Sequence, residues 1–262
     1  MCIRDRHWYD QRLKGIDTGV DEEAPIKLFV MGKNTWRDEY EWPLERTEWT
    51  KFYLSSAGNA VDDGGGLHLE IKTSDQTSDS FIYDPGNPVP SLGSQYQTYD
   101  FCGPHDRSHI QRRPDVLTFT TDVLIEDMEI TGPISATIWA SSDAKDTDFT
   151  ATLTDLEPDG KAIALCEGIV RARFRNGTEN PQLMVPGEIY KFEIDMWNTS
   201  NSFIKGHRIR IEISSSNFPR YNRNLNSGNP IASDIDITIA NQTVYHGIQY
   251  PSHINLPVIP KR

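Results

Sequence analysis

The chain has 262 residues, with 38 acidic against 26 basic side chains and a formal net charge of −12. That balance excludes a nucleic-acid backbone or an anionic membrane as partner, because either requires a basic face; acidity of this kind serves solubility. The length suits one large β-domain or two small ones, and no apolar run approaches the roughly 18 residues needed to span a bilayer.

Residues 1–6 (MCIRDR) resemble translated sequencing adapter from the edge of assembled environmental DNA. They are set aside, and native sequence before residue 7 is expected to be missing. Residues 7–14 (HWYDQRLK) form the one good helix candidate, with Trp8, Tyr9, Leu13 and Ile16 roughly on one side and Gly15 as a stop. A lone helix of this kind needs a body to pack on. Residues 17–25, acidic and broken by Gly and Pro, read as a linker.

Strands are predicted next over 27–31, 50–54, 67–71 and 80–83, with 32–43 as a connector rich in Trp and charge. Residues 84–115 hold many turn formers and little alternation. They read as a long loop, a kind of segment that is usually functional or disordered. Further strands are predicted at 116–120, 134–140, 149–156, 162–174, 190–196 and 208–214, and near 243–245 and 253–256. Pro158-Asp159-Gly160 and Val185-Pro186-Gly187 are turn signals, since Pro fixes φ and Gly supplies positive φ. In 190–196, Tyr190, Phe192, Ile194 and Met196 share a face opposite Lys191, Glu193 and Asp195; in 208–214, Ile209, Ile211 and Ile213 point inward. Many short strands with Gly/Pro turns and long crossovers predict an all-β fold, a jelly-roll β-sandwich of galactose-binding-like form.

The residues that could carry chemistry are sparse. No Gly-x-Ser-x-Gly nucleophile elbow occurs, and Ser214-Ser215-Ser216 follows a strand without flanking glycines, so its hydroxyls are expected to bond the backbone. No self-contained serine–histidine–carboxylate cluster is expected. His105 and His109 lie in a loop beside Pro104 and Arg107, which favours a solvated loop over a metal pair; His207 reads as a packed, hydrogen-bonded side chain. Asp143, Asp146 and Asp148 offer carboxylates in a tight turn, but the run lacks the glycine and terminal Glu of an EF-hand and reads as a solvated, capping turn. No metal or other cofactor is implied. Cys2, Cys102 and Cys166 cannot all pair within the chain and fit no zinc spacing. Free thiols in a reducing, cytoplasmic compartment are expected, with Cys166 in the core. Trp36, Trp42 and Trp49 are expected in the core or at a domain interface.

Five blocks in order carry a family resemblance: LFVMGKNTWRDEYEWP (28–43), YDPGNPVPSLG (83–93), RRPDVLTFTTDVL (112–124), DTDFTATLTDLEPDGKAIALCEGIVRARFR (146–175) and GHRIRIEISSSNFPRYNRN (206–224). With them the chain resembles the C-terminal part of the cocaine esterase / X-Pro dipeptidyl-peptidase family of α/β-hydrolases, of CocE/NonD type. The resemblance implies that residues 1–24 are leader, last helix of the hydrolase domain and linker, and that 25–262 are the C-terminal jelly roll. It implies a parent serine hydrolase of ester or amide bonds whose triad precedes this sequence, so that the chain alone is inactive. Its partners would be the hydrolase and cap domains of the same polypeptide and a small-molecule acyl substrate. Homo-oligomerisation through exposed sheet edges is a further possibility. The resemblance also implies that the loop over 94–102 faces the acyl pocket, with Tyr96, Tyr99 and Phe101 as the substrate contacts. Asp106-Arg107 departs from the Asp-Gln common in the family. The competing reading is a freestanding carbohydrate-binding jelly roll.

Overall fold

The computed structural model describes residues 3–73, 77–95 and 102–261. One helix, α1 (Ile3–Lys14), precedes the strands. It begins four residues before the expected start because charge spacing continues through the leader: Asp10 lies 3.5 Å from Arg6 and 2.6 Å from Lys14, an i, i+4 ladder. Gln11 ties the helix to the linker, its Oε1 accepting from the Thr18 hydroxyl at 2.8 Å and the Val20 amide at 3.1 Å. Trp8, Tyr9, Leu13 and Ile16 remain exposed. No helix among the described residues is long and apolar enough to cross a membrane.

The strands are β1 (Ile26–Val30), β2 (Thr35–Glu39), β3 (Glu48–Ser55), β4 (Gly65–His68), β5 (Ser78–Tyr83), β6 (Leu117–Thr120), β7 (Met128–Ser142), β8 (Asp148–Leu156), β9 (Ala162–Arg171), β10 (Tyr190–Phe203), β11 (Arg208–Ser214), β12 (Ala240–Tyr245) and β13 (His253–Ile259). The expected connector at 32–43 holds β2 instead, which pairs antiparallel with β1 from Ile26 opposite Glu39 to Val30 opposite Thr35. This hairpin docks on β10 through the Met31 amide, which donates to the Ser200 carbonyl at 3.0 Å.

The remaining strands form one hydrogen-bonded path, β5-β12-β7-β13-β3-β4-β6-β11-β8-β9, with β10 on the free side of β7. The path folds over so that β10 comes against β8 and β9. Phe149 of β8 and Phe192 of β10 meet across the core with ring centroids 4.7 Å apart. At Gly168 of β9 the two halves approach so closely that an added Cβ would lie 2.1 Å from the Asp195 carbonyl oxygen. This is the expected all-β jelly-roll sandwich.

Alternation builds the core as predicted. Ile209, Ile211 and Ile213 from one half and Phe192, Ile194 and Met196 from the other are fully buried in one cluster. Each such side chain contributes about 1.5–3 kcal/mol by burial. Cys166 lies in the same cluster, and burial pushes its thiol far up from the ordinary range. The turn at Pro158-Asp159-Gly160 closes as predicted, with the Gly160 amide donating to Glu157 and Gly160 at φ 91°.

Candidate functional site

The opposite face of the same strands is polar, and it too is buried. Ladder partners run Glu167, Thr152, Glu212, Thr118 across β9, β8, β11 and β6. All four are at most 4% exposed. Their cover is residues 84–95 and 102–115, from the segment expected to be a loop, together with the corner after β11. Buried polar groups are tolerated only when bonded, and here the cover bonds Glu212 and one oxygen of Glu167, while Thr118 bonds Ala60 and Asp63.

Arg107, itself 2% exposed, is the centre of the cover. Its Nη2 donates to Glu212 Oε2 at 2.8 Å, its Nε to both Glu212 oxygens at 3.1 Å, and its Nη1 to the Leu92 carbonyl at 2.9 Å. Burial disfavours the Arg107 charge, but Glu212 outweighs it and holds the guanidinium pKa above its usual value. Gln111 donates to Glu212 at 2.9 Å and accepts from Arg210 at 2.8 Å; Arg210 reaches on to Thr120 and Asp63. A second arm pairs Arg220 with Glu167 at 2.5 Å. Burial of Glu167 still raises its pKa, against the pull of Arg107 and Arg220.

This network fixes the base of the loop that sequence similarity points to. The Gly103 amide donates to the Ser94 carbonyl at 3.0 Å, closing the loop's neck. Below the neck the Arg107 amide donates to Ala162 at 2.8 Å, and Ala164 donates to His105 at 3.0 Å. Asp106 accepts from the Ala162 and Ser108 amides at 3.0 and 2.9 Å. On its other side Gln95 donates to the Asn198 carbonyl at 3.1 Å. The contact lands on a bulge in β10 between Asp195 and Asn198, where Trp197 is 57% exposed with φ 65°. That conformation costs a non-glycine residue about 1–2 kcal/mol, partly offset by the Trp197 amide donating to Asp195 at 2.8 Å. The predicted contacts Tyr96, Tyr99 and Phe101 lie outside the described residues.

Other candidates resolve differently. Asp146 and Asp148 are buried rather than solvated, contrary to the turn reading; Arg173 and Arg171 pair with them at 2.7 and 2.8 Å, and Asn224 bridges both. Burial raises the Asp148 pKa despite Arg171 and Asn224. Asp143 is exposed and bonds Asn241. His105 is half-buried with Nε2 3.1 Å from the Cys102 carbonyl, and His109 is exposed. No group of three metal-binding side chains occurs among the described residues. His207 pairs with Asp155 at 2.9 Å, as expected of a packed residue. Ser214 donates to the Asp115 carbonyl at 2.7 Å and Ser216 accepts from the Val89 amide at 2.8 Å, as expected, whereas the buried Ser215 hydroxyl has no partner among the described residues. Trp36, Trp42 and Trp49 are 63%, 39% and 50% exposed, so none is a core residue.

One expectation is corrected. Ser56, Asp79 and His246 do meet, at 8%, 3% and 2% exposure. The geometry is not that of a nucleophilic triad, in which the imidazole lies between the other two and uses both ring nitrogens. Here the Ser56 hydroxyl donates to Asp79 at 2.6 Å, and both Ser56 Oγ and Asp79 Oδ2 sit at the same His246 Nε2, at 3.3 and 3.1 Å. Burial alone would raise the Asp79 pKa, but His246, Ser56 and the Ala60 amide together hold it low. The cluster staples the end of β3 to β5 and to the residue after β12. Sequence reading missed it because the three residues are far apart in the chain, and missed Glu212 and Glu167 because a polar residue in an alternating strand looks solvent-facing.

A sequence profile of the X-Pro dipeptidyl-peptidase C-terminal non-catalytic domain matches residues 18–255. The chain belongs to this family. It is 45% identical over 258 residues to the cocaine esterase of Rhodococcus sp. strain MB1 Bresler, covering 97% of this chain and 45% of that protein. Among solved structures, an aminopeptidase from a marine sediment Thaumarchaeota archaeon superposes with TM-score 0.83 at 26% identity, over 98% of this chain and 44% of the other. An α-amino acid ester hydrolase superposes with TM-score 0.81 at 27% identity, over 97% and 44%. The chain thus spans a little under half the length of these relatives. It is the CocE/NonD-type C-terminal, non-catalytic β-domain of an esterase and peptidase family.

Proposed function

We propose that residues 25–262 are the C-terminal jelly roll of a serine hydrolase that cleaves ester or amide bonds, and that residues 1–24 hold a leader, the last helix of the hydrolase domain and a linker. In this reading the loop carrying Tyr96, Tyr99 and Phe101 forms one wall of the acyl pocket. The exposed aromatics Trp8, Tyr9, Trp36 and Trp42 belong to the surface that docks the hydrolase and cap domains. The observation that carries the reading is the loop's base: a neck closed at Ser94 and Gly103 stands on a fully buried Arg107–Glu212 pair. A substrate contact needs such support, because a wall displaced by about 1 Å loses much of its positioning effect.

The catalytic serine, histidine and carboxylate would then lie in the hydrolase domain, which attacks the acyl carbonyl and shuttles the proton. The test has two arms. The purified chain is expected to leave p-nitrophenyl acetate unhydrolysed above background; hydrolysis that disappears in Ser56→Ala contradicts the reading. In a full-length hydrolase that carries this domain, Tyr96→Ala or Tyr99→Ala is expected to raise KM severalfold at unchanged melting temperature.

A further inference from the structure

A cavity of about 780 Å³ opens between the segment after Arg107, the turn joining β8 to β9, and the start of β11. This is within the volume range of small-molecule pockets, roughly 300–1,000 Å³. Three arginines line it: Arg112, Arg208 and Arg210. Arg210 is fully engaged, with Thr120 at 2.8 Å, Gln111 at 2.8 Å and Asp63 at 2.6 Å. Arg112 and Arg208 are different. Every other arginine whose side chain is described makes a hydrogen bond, an ion pair or a ring contact. Among the described residues these two make none, and both line this one cavity. Asp63 is the partner of Arg210, which leaves Glu157 as the other carboxylate on the wall.

In a chain of net charge −12, two guanidinium groups without acid partners beside one recess point to an anion that arrives from outside. Guanidinium forks match the paired oxygens of carboxylate and phosphate. The Arg210–Gln111–Glu212 bonds hold the back wall rigid, so the side-chain ordering cost of binding falls on Arg112 and Arg208.

We propose that this cavity is a binding site for a small molecule bearing two or more oxyanion groups, held by Arg112 and Arg208 with Arg210 behind them. The inference does not rest on the hydrolase reading. It is tested on the purified chain by isothermal titration with citrate and, separately, with inorganic pyrophosphate, at constant ionic strength. The two arms distinguish a polycarboxylate ligand from a phosphate. Saturable binding with Kd of about 1 mM or tighter is expected for at least one anion, with a melting temperature that rises with the logarithm of anion concentration above Kd. Arg112→Gln with Arg208→Gln is expected to weaken it at least tenfold. Both positions are exposed, and circular dichroism checks that the variant keeps its fold. Absence of saturable binding by either anion, or binding that survives in the double variant, overturns the proposal.

Discussion

Strand β11 has two buried faces built on opposite principles. On one side Ile209, Ile211 and Ile213 enter an apolar core shared by both halves of the sandwich. On the other, Arg210, Glu212 and Ser214 are nearly as buried, at 7%, 3% and 4% exposure, but each is held by named polar partners. The apolar face is non-directional: any side chain of suitable volume serves. The polar face is directional, and it fixes the covering segment in one register. The first explains why the domain folds; the second explains how a loop on its surface acquires a defined base.

The largest effect that sharpens this contrast is at Arg107. Arg107→Ala leaves Glu212 buried and uncompensated, and is expected to cost about 3–5 kcal/mol in denaturant unfolding. Arg107→Met with Glu212→Leu removes both charges and is expected to recover most of that stability. A double variant as unstable as the single one would show that the polar face is needed for folding itself. Gly168→Ala drives a Cβ into the Asp195 carbonyl, 2.1 Å away, and is expected to cost about 1–3 kcal/mol by overpacking. Ile211→Val, on the apolar face, is expected to cost only about 0.5–1.5 kcal/mol.

The smallest effects separate the two kinds of buried carboxylate by pH. The Glu167 pKa is raised in the folded chain, so between the ordinary glutamate value and that raised value the native state binds more protons than the unfolded one. Stability attributable to Glu167 therefore falls as pH rises through this window. The advantage of wild type over Glu167→Gln should shrink across it. Asp79 is held low, so its contribution is complete above the ordinary aspartate value and is lost as pH falls toward the depressed one. The advantage of wild type over Asp79→Asn should grow with pH across that lower window. Denaturation midpoints measured at a series of pH values read both slopes, and a shared sign would contradict the assignment.

The apolar half of this architecture was legible in the sequence. Alternation placed Ile209, Ile211 and Ile213 and the run from Phe192 to Met196 correctly, and the Pro and Gly turns marked the strand ends. The polar half was not. Glu212 alternates with isoleucines, and in an antiparallel strand that pattern means solvent unless another layer covers it. The cover is residues 84–95 and 102–115 of a turn-rich segment, whose composition says loop and says nothing of what it lies on. Arg107 stood out only as a departure from a family pattern, and its partner is 105 residues away. The helix began early because an ion-pair ladder, and no apolar periodicity, extends it into the leader.

The most direct test of the central claim is amide hydrogen exchange on Arg107→Gln with Glu212→Gln, which removes both charges and keeps polar side chains at both positions. If the buried pair is what seats the loop base, exchange at Gly103, Arg107 and Ile110 rises at least tenfold while Leu153 and Ile211 stay protected. Unchanged exchange at the loop base, or a uniform rise that includes the core strands, would contradict the account.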